Sequence, residues 1–310
     1  MRFIRYCLII ALTLVASRAH AFNIPETSSG QVQRISDFYS KHVPTRNIDV
    51  WLPEGYSNDK KYDVLYMHDG QMLFDANTTW NNQEWRVDEV ASQLINENKV
   101  KPFIVVGIWN SGETRYPEYF PQRVFEELSW LERLEVKTKL ILQSKSLTPI
   151  GDFYFADKYI QFLAEELIPH IEQQYSVNKG QAHRYLAGSS MGGLISWYAM
   201  MERPDLFAGA ACLSTHWPGM YDPDNPLPAG FERYISTNLS KLSDHKLYFD
   251  LGDQTLDAMY PPLQKRIDKV LEKQYNPELW QSEFFPGHQH DEQSWASRLH
   301  LPLTFLLSNK

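Results

Sequence analysis

The chain is poor in cysteine: only Cys7 and Cys212 occur in 310 residues. Cys7 belongs to the apolar start of the chain, which leaves Cys212, in the stretch GAACLS, without a second thiol to pair with. A lone thiol forms no internal disulfide and no thiolate metal centre, so Cys212 reads as a small buried apolar group and stability must come from packing. Cationic residues are also the minority. Thirty Lys and Arg against 38 Asp and Glu give a formal charge of −8, with no basic run. Nucleic acid and anionic membranes are held by clustered Lys and Arg, so neither is expected as a partner. Internal repeats and low-complexity tracts are absent as well, which excludes a repeat array.

Long apolar runs are missing except at residues 6–17 (YCLIIALTLVAS), which Arg2 and Arg5 precede and Ala19-His20-Ala21 follows. A basic start, an apolar centre and small residues at −3 and −1 are the layout of a secretory signal peptide. The run also falls short of the about 20 residues that a bilayer span needs. The expectation is a signal peptide over residues 1–21, a mature chain beginning at Phe22 in the periplasm or outside the cell, and no membrane insertion after cleavage. No cysteine stands at the cut, so no lipid anchor is indicated. Loss of Arg2, Arg5 and Arg18 takes the formal charge to −11. Residues 22–310 then read as a single domain, long enough to bury roughly three quarters of its unfolded surface.

What is present is an alternation. Segments 32–39 and 46–53 alternate apolar and polar residues and read as an antiparallel entry to a sheet. Five short, continuous apolar runs follow, each ended by a small or polar residue: VLYMHDG, FIVVGIWN, YLAGSS, AGAACLST and LYFDLG. Continuous runs mark strands covered on both faces, as in a parallel sheet flanked by helices. Helical periodicity occupies residues 84–96, 156–174, 191–203 and 262–273 between them. Strands alternating with such helices predict a doubly wound α/β fold, whose ligands bind beyond the carboxyl ends of the strands. Residues 111–155, including a helix expected over 123–143, interrupt the alternation and read as an insertion folded over the site.

The strongest local signal is Gly188-Ser189-Ser190-Met191-Gly192. Chance supplies roughly 0.1 G-x-S-x-G matches in a chain this long, but here an apolar strand enters the motif and a helical pattern leaves it. A serine so placed sits on a sharp strand-to-helix turn, its hydroxyl exposed. The helix beginning at Met191 offers free N–H groups to a developing oxyanion. A serine hydroxyl needs a base to take its proton. PGHQHDEQSW supplies His288 and His290, and STHWPG supplies His216, which serves equally well as a pocket or structural residue. An acid must orient the imidazole; GDQTLDAMY presents Asp253 and Asp257, which spacing alone does not separate. The second oxyanion donor is expected from the loop His68-Asp69-Gly70-Gln71, through the amide of Gln71. His68 and Asp69 read as hydrogen-bonding braces of that loop rather than metal ligands, since no cluster with ligand spacing completes a site.

Taken together, RNIDVWLPEGY, VLYMHDGQMLFD, EWRVDE, VVGIWN, the R-x-x-E-Y of Arg115 to Tyr119, AGSSMGG, YFDLG…LDAMY and GHQHDEQSW resemble the putative-esterase branch of the α/β-hydrolases. That branch includes esterase D, enterochelin, feruloyl and acetylxylan esterases, and mycolyltransferases. The resemblance implies an α/β-hydrolase fold with a mostly parallel sheet and a serine ester hydrolase working without metal or organic cofactor. Its implied residues are Ser190 as nucleophile, His290, which precedes a polar-Glu pair and Trp295, as base, and Asp257 of L-D-x-x-Y as acid. Its implied oxyanion donors are the amides of Met191 and Gln71. The usual Gly-Thr after the acid's strand is Gly252-Asp253 here, so the acid matches least closely.

Substrates within reach are a small-molecule or glycan-linked ester: a siderophore, feruloyl or acetyl ester. Trp109, Arg115, His216 and Trp217 are the candidate pocket residues, with Arg115 alternatively paired to Glu118. Other readings are acyl transfer to a sugar or lipid alcohol, a metal hydrolase built on His68, Asp69, His288, His290 and Asp291, and a non-catalytic ligand-binding protein using Trp109, Trp130 and Trp217.

Overall fold

The computed structural model describes residues 23–144 and 154–308. The signal peptide expected over residues 1–21 and residues 145–153 of the expected insertion lie outside the described residues. Eight strands form one sheet: β1 (Gln31–Phe38), β2 (Arg46–Leu52), β3 (Asp63–His68), β4 (Phe103–Ile108), β5 (Arg184–Ser189), β6 (Gly209–Leu213), β7 (Lys246–Leu251) and β8 (Trp280–Phe284). Their order is β1-β2-β4-β3-β5-β6-β7-β8. The β1–β2 and β2–β4 pairs are antiparallel, and the pairs from β4 through β8 are parallel. This is the α/β-hydrolase arrangement, an antiparallel entry leading into a parallel sheet.

The helices are α1 (Val87–Asn96), α2 (Arg115–Tyr119), α3 (Gln122–Glu127), α4 (Trp130–Ser144), α5 (Ala156–Gln161), α6 (Ile168–Gln174), α7 (Met191–Glu202), α8 (Leu227–Asn238), α9 (Pro261–Gln274), α10 (Glu292–Arg298) and α11 (His300–Leu307). A π-helical turn, Phe162–Leu167, joins α5 to α6, so the helix expected over 156–174 is continuous but locally widened. No helix among the described residues is long and apolar enough to cross a membrane.

Both faces of the sheet are covered, which is why its strands carry unbroken apolar runs. Along β3, Val64 and Tyr66 enter the core shared with α5 to α9, while Leu65 and Met67 enter the one shared with α1 and α11. Helix α7 lies against β5 and β6 with Leu194, Ile195, Trp197, Tyr198, Met200 and Met201 all buried. A helix apolar on every side belongs inside the protein, and burying α7 fixes the position of its first residue.

The expected helix over 123–143 is two helices. Ser129 and Glu132 exchange hydrogen bonds, Ser129 N–H to the Glu132 carboxylate at 2.8 Å and Glu132 N–H to Ser129 Oγ at 3.3 Å. That reciprocal pair is a capping box, which starts a new helix at Trp130. The described part of the expected insertion is built into the fold: α2 packs on α5 and α7, α3 packs on α8, and Phe120, Val124, Leu128 and Val136 join the core. Glu118 accepts two hydrogen bonds at 2.8 Å from Arg46, both side chains essentially inaccessible. Removing one member of a buried pair strands the other charge, so Glu118→Ala is expected to lower stability by about 3–5 kcal/mol in urea denaturation.

Candidate active site

Ser190 joins β5 to α7 with φ 57° and ψ −120°, a conformation side chains rarely adopt and one that costs on the order of 1–3 kcal/mol. Its neighbours make the bend possible. A Cβ on Gly188 would stand 2.7 Å from the Gly192 carbonyl, and one on Gly193 2.9 Å from Thr215 Oγ1. The bend is tied from three sides: Ser190 N–H donates to Leu213 O, and Ser190 O accepts from Leu194 N–H and His216 N–H.

The loop after β3 abuts this bend. The Cβ position of Gly192 lies 3.3 Å from His68 Cβ and 3.4 Å from Asp69 Oδ2. Asp69 is left-handed, and Gly70–Met72 form a single 3-10 turn. Gly70 is packed so tightly on β4 that a Cβ would reach within 2.3 Å of the Gly107 carbonyl carbon. Among the described residues, neither the Gln71 nor the Met191 amide has an acceptor within the chain. Both stand where a helical turn begins, with N–H groups unspent.

Asp69 braces the loop. Arg115 reaches both of its oxygens at 2.7 Å, and the Asn110 side-chain amide donates to Oδ1 at 2.7 Å. Burial disfavours the Asp69 charge, but Arg115 and these hydrogen bonds outweigh it and hold the carboxyl below its ordinary range. Arg115 therefore pairs with Asp69 and not with Glu118, which Arg46 occupies. Asn110 N–H further donates to the Gln71 side-chain oxygen at 3.1 Å. Asn110 was not singled out in the sequence; its only signal is its position as the polar stop of FIVVGIWN. His68 Nδ1 lies 2.9 Å from the Tyr159 hydroxyl, and burial pushes its pKa down to about 3, so the imidazole is neutral.

On the other side of the bend, the loops after β7 and β8 meet. Asp257 is fully buried on the 3-10 turn Thr255–Met259. Its Oδ1 lies 2.6 Å from His290 Nδ1, and its Oδ2 accepts from Ser214 Oγ at 2.6 Å and from Gly252 N–H at 2.7 Å. A Cβ on Gly252 would stand 2.2 Å from His288 O, so the histidine loop passes over the acid loop only because this residue is glycine. His290 N–H donates to Thr255 Oγ1 at 2.9 Å, and Trp295 packs edge-on against the His290 ring at 5.1 Å.

The structure thus brings Asp257, not Asp253, to His290. Asp253 caps the neighbouring turn by accepting from Gly287 N–H and the Gln254 side chain. His288 faces Arg298, 3.1 Å from its guanidinium. Asp291 caps α10 by accepting from Ser294 N–H at 2.8 Å.

Tyr260 spans the gap between Ser190 and the acid–imidazole pair. Its ring centre is 5.6 Å from that of His290, and its hydroxyl lies beside the Ser190 side chain and 2.7 Å from His216 Nδ1. Burial, reinforced by the charge of Asp257, raises the Tyr260 hydroxyl well above its ordinary pKa. Burial likewise pushes His216 down to about 3. His216 is therefore neutral and shares a hydrogen bond with the Tyr260 hydroxyl at the edge of the site.

Two expected pocket residues lie elsewhere. The Trp109 indole donates to Asp49 Oδ2 at 2.8 Å beneath the Arg34 guanidinium, 4.6 Å from the ring centre, and so faces β1 and β2. Trp217 is 1% exposed, stacks on Trp197 and donates to Gln264 Oε1 at 2.6 Å; it is core. Trp109 directly follows β4, where alternation sends neighbouring side chains to opposite sides, and Trp217 follows His216 in the loop after β6. Trp130 is exposed on α4.

A model of the family described as "Putative esterase" matches residues 44–129 and 145–301. The chain belongs to this family. Among curated relatives, an endo-1,4-beta-xylanase/feruloyl esterase of Xylanibacter ruminicola is 24% identical over 215 residues, 68% of this chain but 24% of that protein. The chain therefore spans about a quarter of that relative's length. Among solved structures, the family fold recurs in a ferulic acid esterase of Anaeromyces mucronatus, seen in complex with ferulic acid, with a TM-score of 0.59, 20% identity and coverage of 90% of this chain and 92% of that one. It recurs also in the enterobactin esterase FES of Shigella flexneri, with a TM-score of 0.62, 16% identity and coverage of 91% and 61%.

Proposed function

We propose that this member of the esterase family is a serine carboxylic-ester hydrolase acting through an acyl-enzyme. The observation that carries the reading is the fully buried Asp257 carboxylate, 2.6 Å from His290 Nδ1 and saturated on its other oxygen, beside a serine on a strained strand-to-helix bend. With Asp257 ionised, His290 Nδ1 carries its proton and donates it, which leaves Nε2 as the base. Ser190 Oγ attacks the ester carbonyl while its proton passes to His290 Nε2. The amides of Gln71 and Met191 receive the oxyanion, each such donor contributing about 2.7–4 kcal/mol of transition-state stabilisation. The alcohol departs with the proton from His290. Water then attacks the acyl-serine, giving a proton to His290, and the carboxylic acid leaves as Ser190 recovers its hydrogen.

For substrate we favour a feruloyl ester on a glycan or a siderophore ester, with an acetyl ester as the smaller option. The support is what relatives and structural neighbours are named for: feruloyl esterase activity and the enterobactin esterase FES. Arg115 and His216 are the proposed pocket residues. Secretion through the signal over residues 1–21 places the reaction in the periplasm or outside the cell, and a native N-terminus at Phe22 is the expected result of protein sequencing. The mechanism is tested by a fluorophosphonate. One equivalent is expected to bind per protein, with the adduct mapping by mass spectrometry to Ser190. An unlabelled Ser190 in folded protein, with ester hydrolysis intact, would exclude the mechanism.

A further inference from the structure

Behind Asp257 lies a buried polar chain that the reaction as written does not use. Ser214, directly after β6, is fully buried and sits at φ 41°, with its N–H on Asp250 O at 2.8 Å. Its Oγ receives hydrogen bonds from Trp295 Nε1–H at 3.0 Å and Arg298 Nη2–H at 3.0 Å. Indole and guanidinium nitrogens only donate, so both lone pairs of the hydroxyl are taken. The one hydrogen left on Ser214 can go only to Asp257 Oδ2, 2.6 Å away. Donation in the opposite sense is closed off.

Arg298 is 1% exposed, and the same Nη2 reaches Asp250 Oδ1 at 2.9 Å. Asp250 is itself fully buried and neighbours Asp257 closely enough for the two charges to repel. One guanidinium thus serves two buried carboxylates, Asp250 directly and Asp257 through the Ser214 hydroxyl. Trp295 ties the arrangement to the imidazole, because the ring that donates to Ser214 also packs against His290.

We propose that Ser214, held by Arg298 and Trp295, is a positioning residue that fixes the Asp257 carboxylate for His290. This rests on the acyl-enzyme reading of the site. With Oδ2 spent on Ser214 O–H and Gly252 N–H, the Oδ1 lone pair is left to the imidazole alone. A carboxylate relieved of the Ser214 bond turns about its remaining donor and moves Oδ1 off the line to Nδ1. The loss is felt in proton transfer and not in ester binding, since Ser214 lies behind the acid and inside the core.

The experiment compares Ser214→Ala with Ser214→Gly on an aryl ester the wild type hydrolyses, with kcat expressed per site titrated by a fluorophosphonate so that unfolded protein does not count. Both variants lack the hydroxyl; alanine keeps the Cβ that serine already carries at this positive φ, and glycine removes it. Both are expected to lose about 10- to 100-fold in kcat per titrated site, the range that a lost charge-assisted hydrogen bond allows, with KM within about twofold. If alanine fails to fold, glycine carries the test. Normal turnover per site in either variant would overturn the proposal, with a loss confined to glycine assigning the residue to the backbone instead. Wild-type protein that neither hydrolyses the ester nor takes the label would overturn the acyl-enzyme reading itself, a separate result.

Discussion

Ser190→Ala is expected to lower kcat for an aryl ester by about 10⁶-fold, because the nucleophile and base of a serine hydrolase act as a unit and removing either costs about as much as removing both. His290→Ala should match it, and the double variant should be no worse than either single one. Ser190→Gly separates chemistry from architecture. It removes the same hydroxyl, so activity should vanish equally, yet glycine is at ease with the φ of 57° that serine holds at this bend. Its melting temperature should rise above that of Ser190→Ala, by an amount corresponding to roughly 1–3 kcal/mol of released strain. Steady-state kinetics with thermal unfolding of the three proteins read out both effects. A Ser190→Ala enzyme retaining even a hundredth of wild-type turnover, with no contaminating hydrolase, would remove Ser190 from the mechanism.

Asp257→Asn is expected to cost about 10⁴-fold in kcat, and the hydrogen bonds around the carboxylate explain why an isosteric change does so much. Ser214 O–H and Gly252 N–H both donate toward Oδ2. An asparagine must therefore turn its carbonyl oxygen to them and its NH₂ to His290. The imidazole can accept that bond only through an unprotonated Nδ1, which puts its hydrogen on Nε2 and leaves no lone pair for the Ser190 proton. The enzyme would be folded but hold its base in the wrong tautomer. Asp253→Asn is the control. Its side chain accepts from Gly287 N–H and Gln254 at the protein surface, and an amide oxygen accepts equally well. Activity within about twofold of wild type is expected, as for exposed substitutions that keep their contacts. Equal losses in the two variants would move the acid away from Asp257.

The alternation of continuous apolar runs with helical periodicity was enough to recover the parallel sheet, because burial on both faces leaves a strand no polar side to show. The elbow was legible through its motif: Gly188 is demanded by the close passage of the Gly192 backbone four residues on, while Gly192 and Gly193 face the loop after β3 and Thr215. Helix α4 shows the limit of periodicity. Its apolar spacing runs smoothly into that of α3, and only the Ser129–Glu132 exchange separates them.

The choices among candidates were of another kind. Asp253 and Asp257 lie four residues apart on one loop, and what distinguishes them is the loop after β8, which comes more than 30 residues later. Glu118 is the acid three residues after Arg115 on the same helix, yet Arg46 on β2 claims it and Arg115 turns to Asp69. Trp109 follows its strand and Trp217 follows His216 as pocket residues would, but their indole N–H groups are taken by Asp49 and Gln264. Tyr260 closes the L-D-x-x-Y segment, but Ser214 and Arg298 carried no motif weight at all.

The amino-acid order by itself determined the layers, the strand-to-helix bend that carries Ser190 and the loops from which its partners must come, since these follow from burial and from steric limits between near neighbours. Only the tertiary structure decided which acid meets which base, because a buried charge is claimed by whichever donor folding brings within hydrogen-bonding distance.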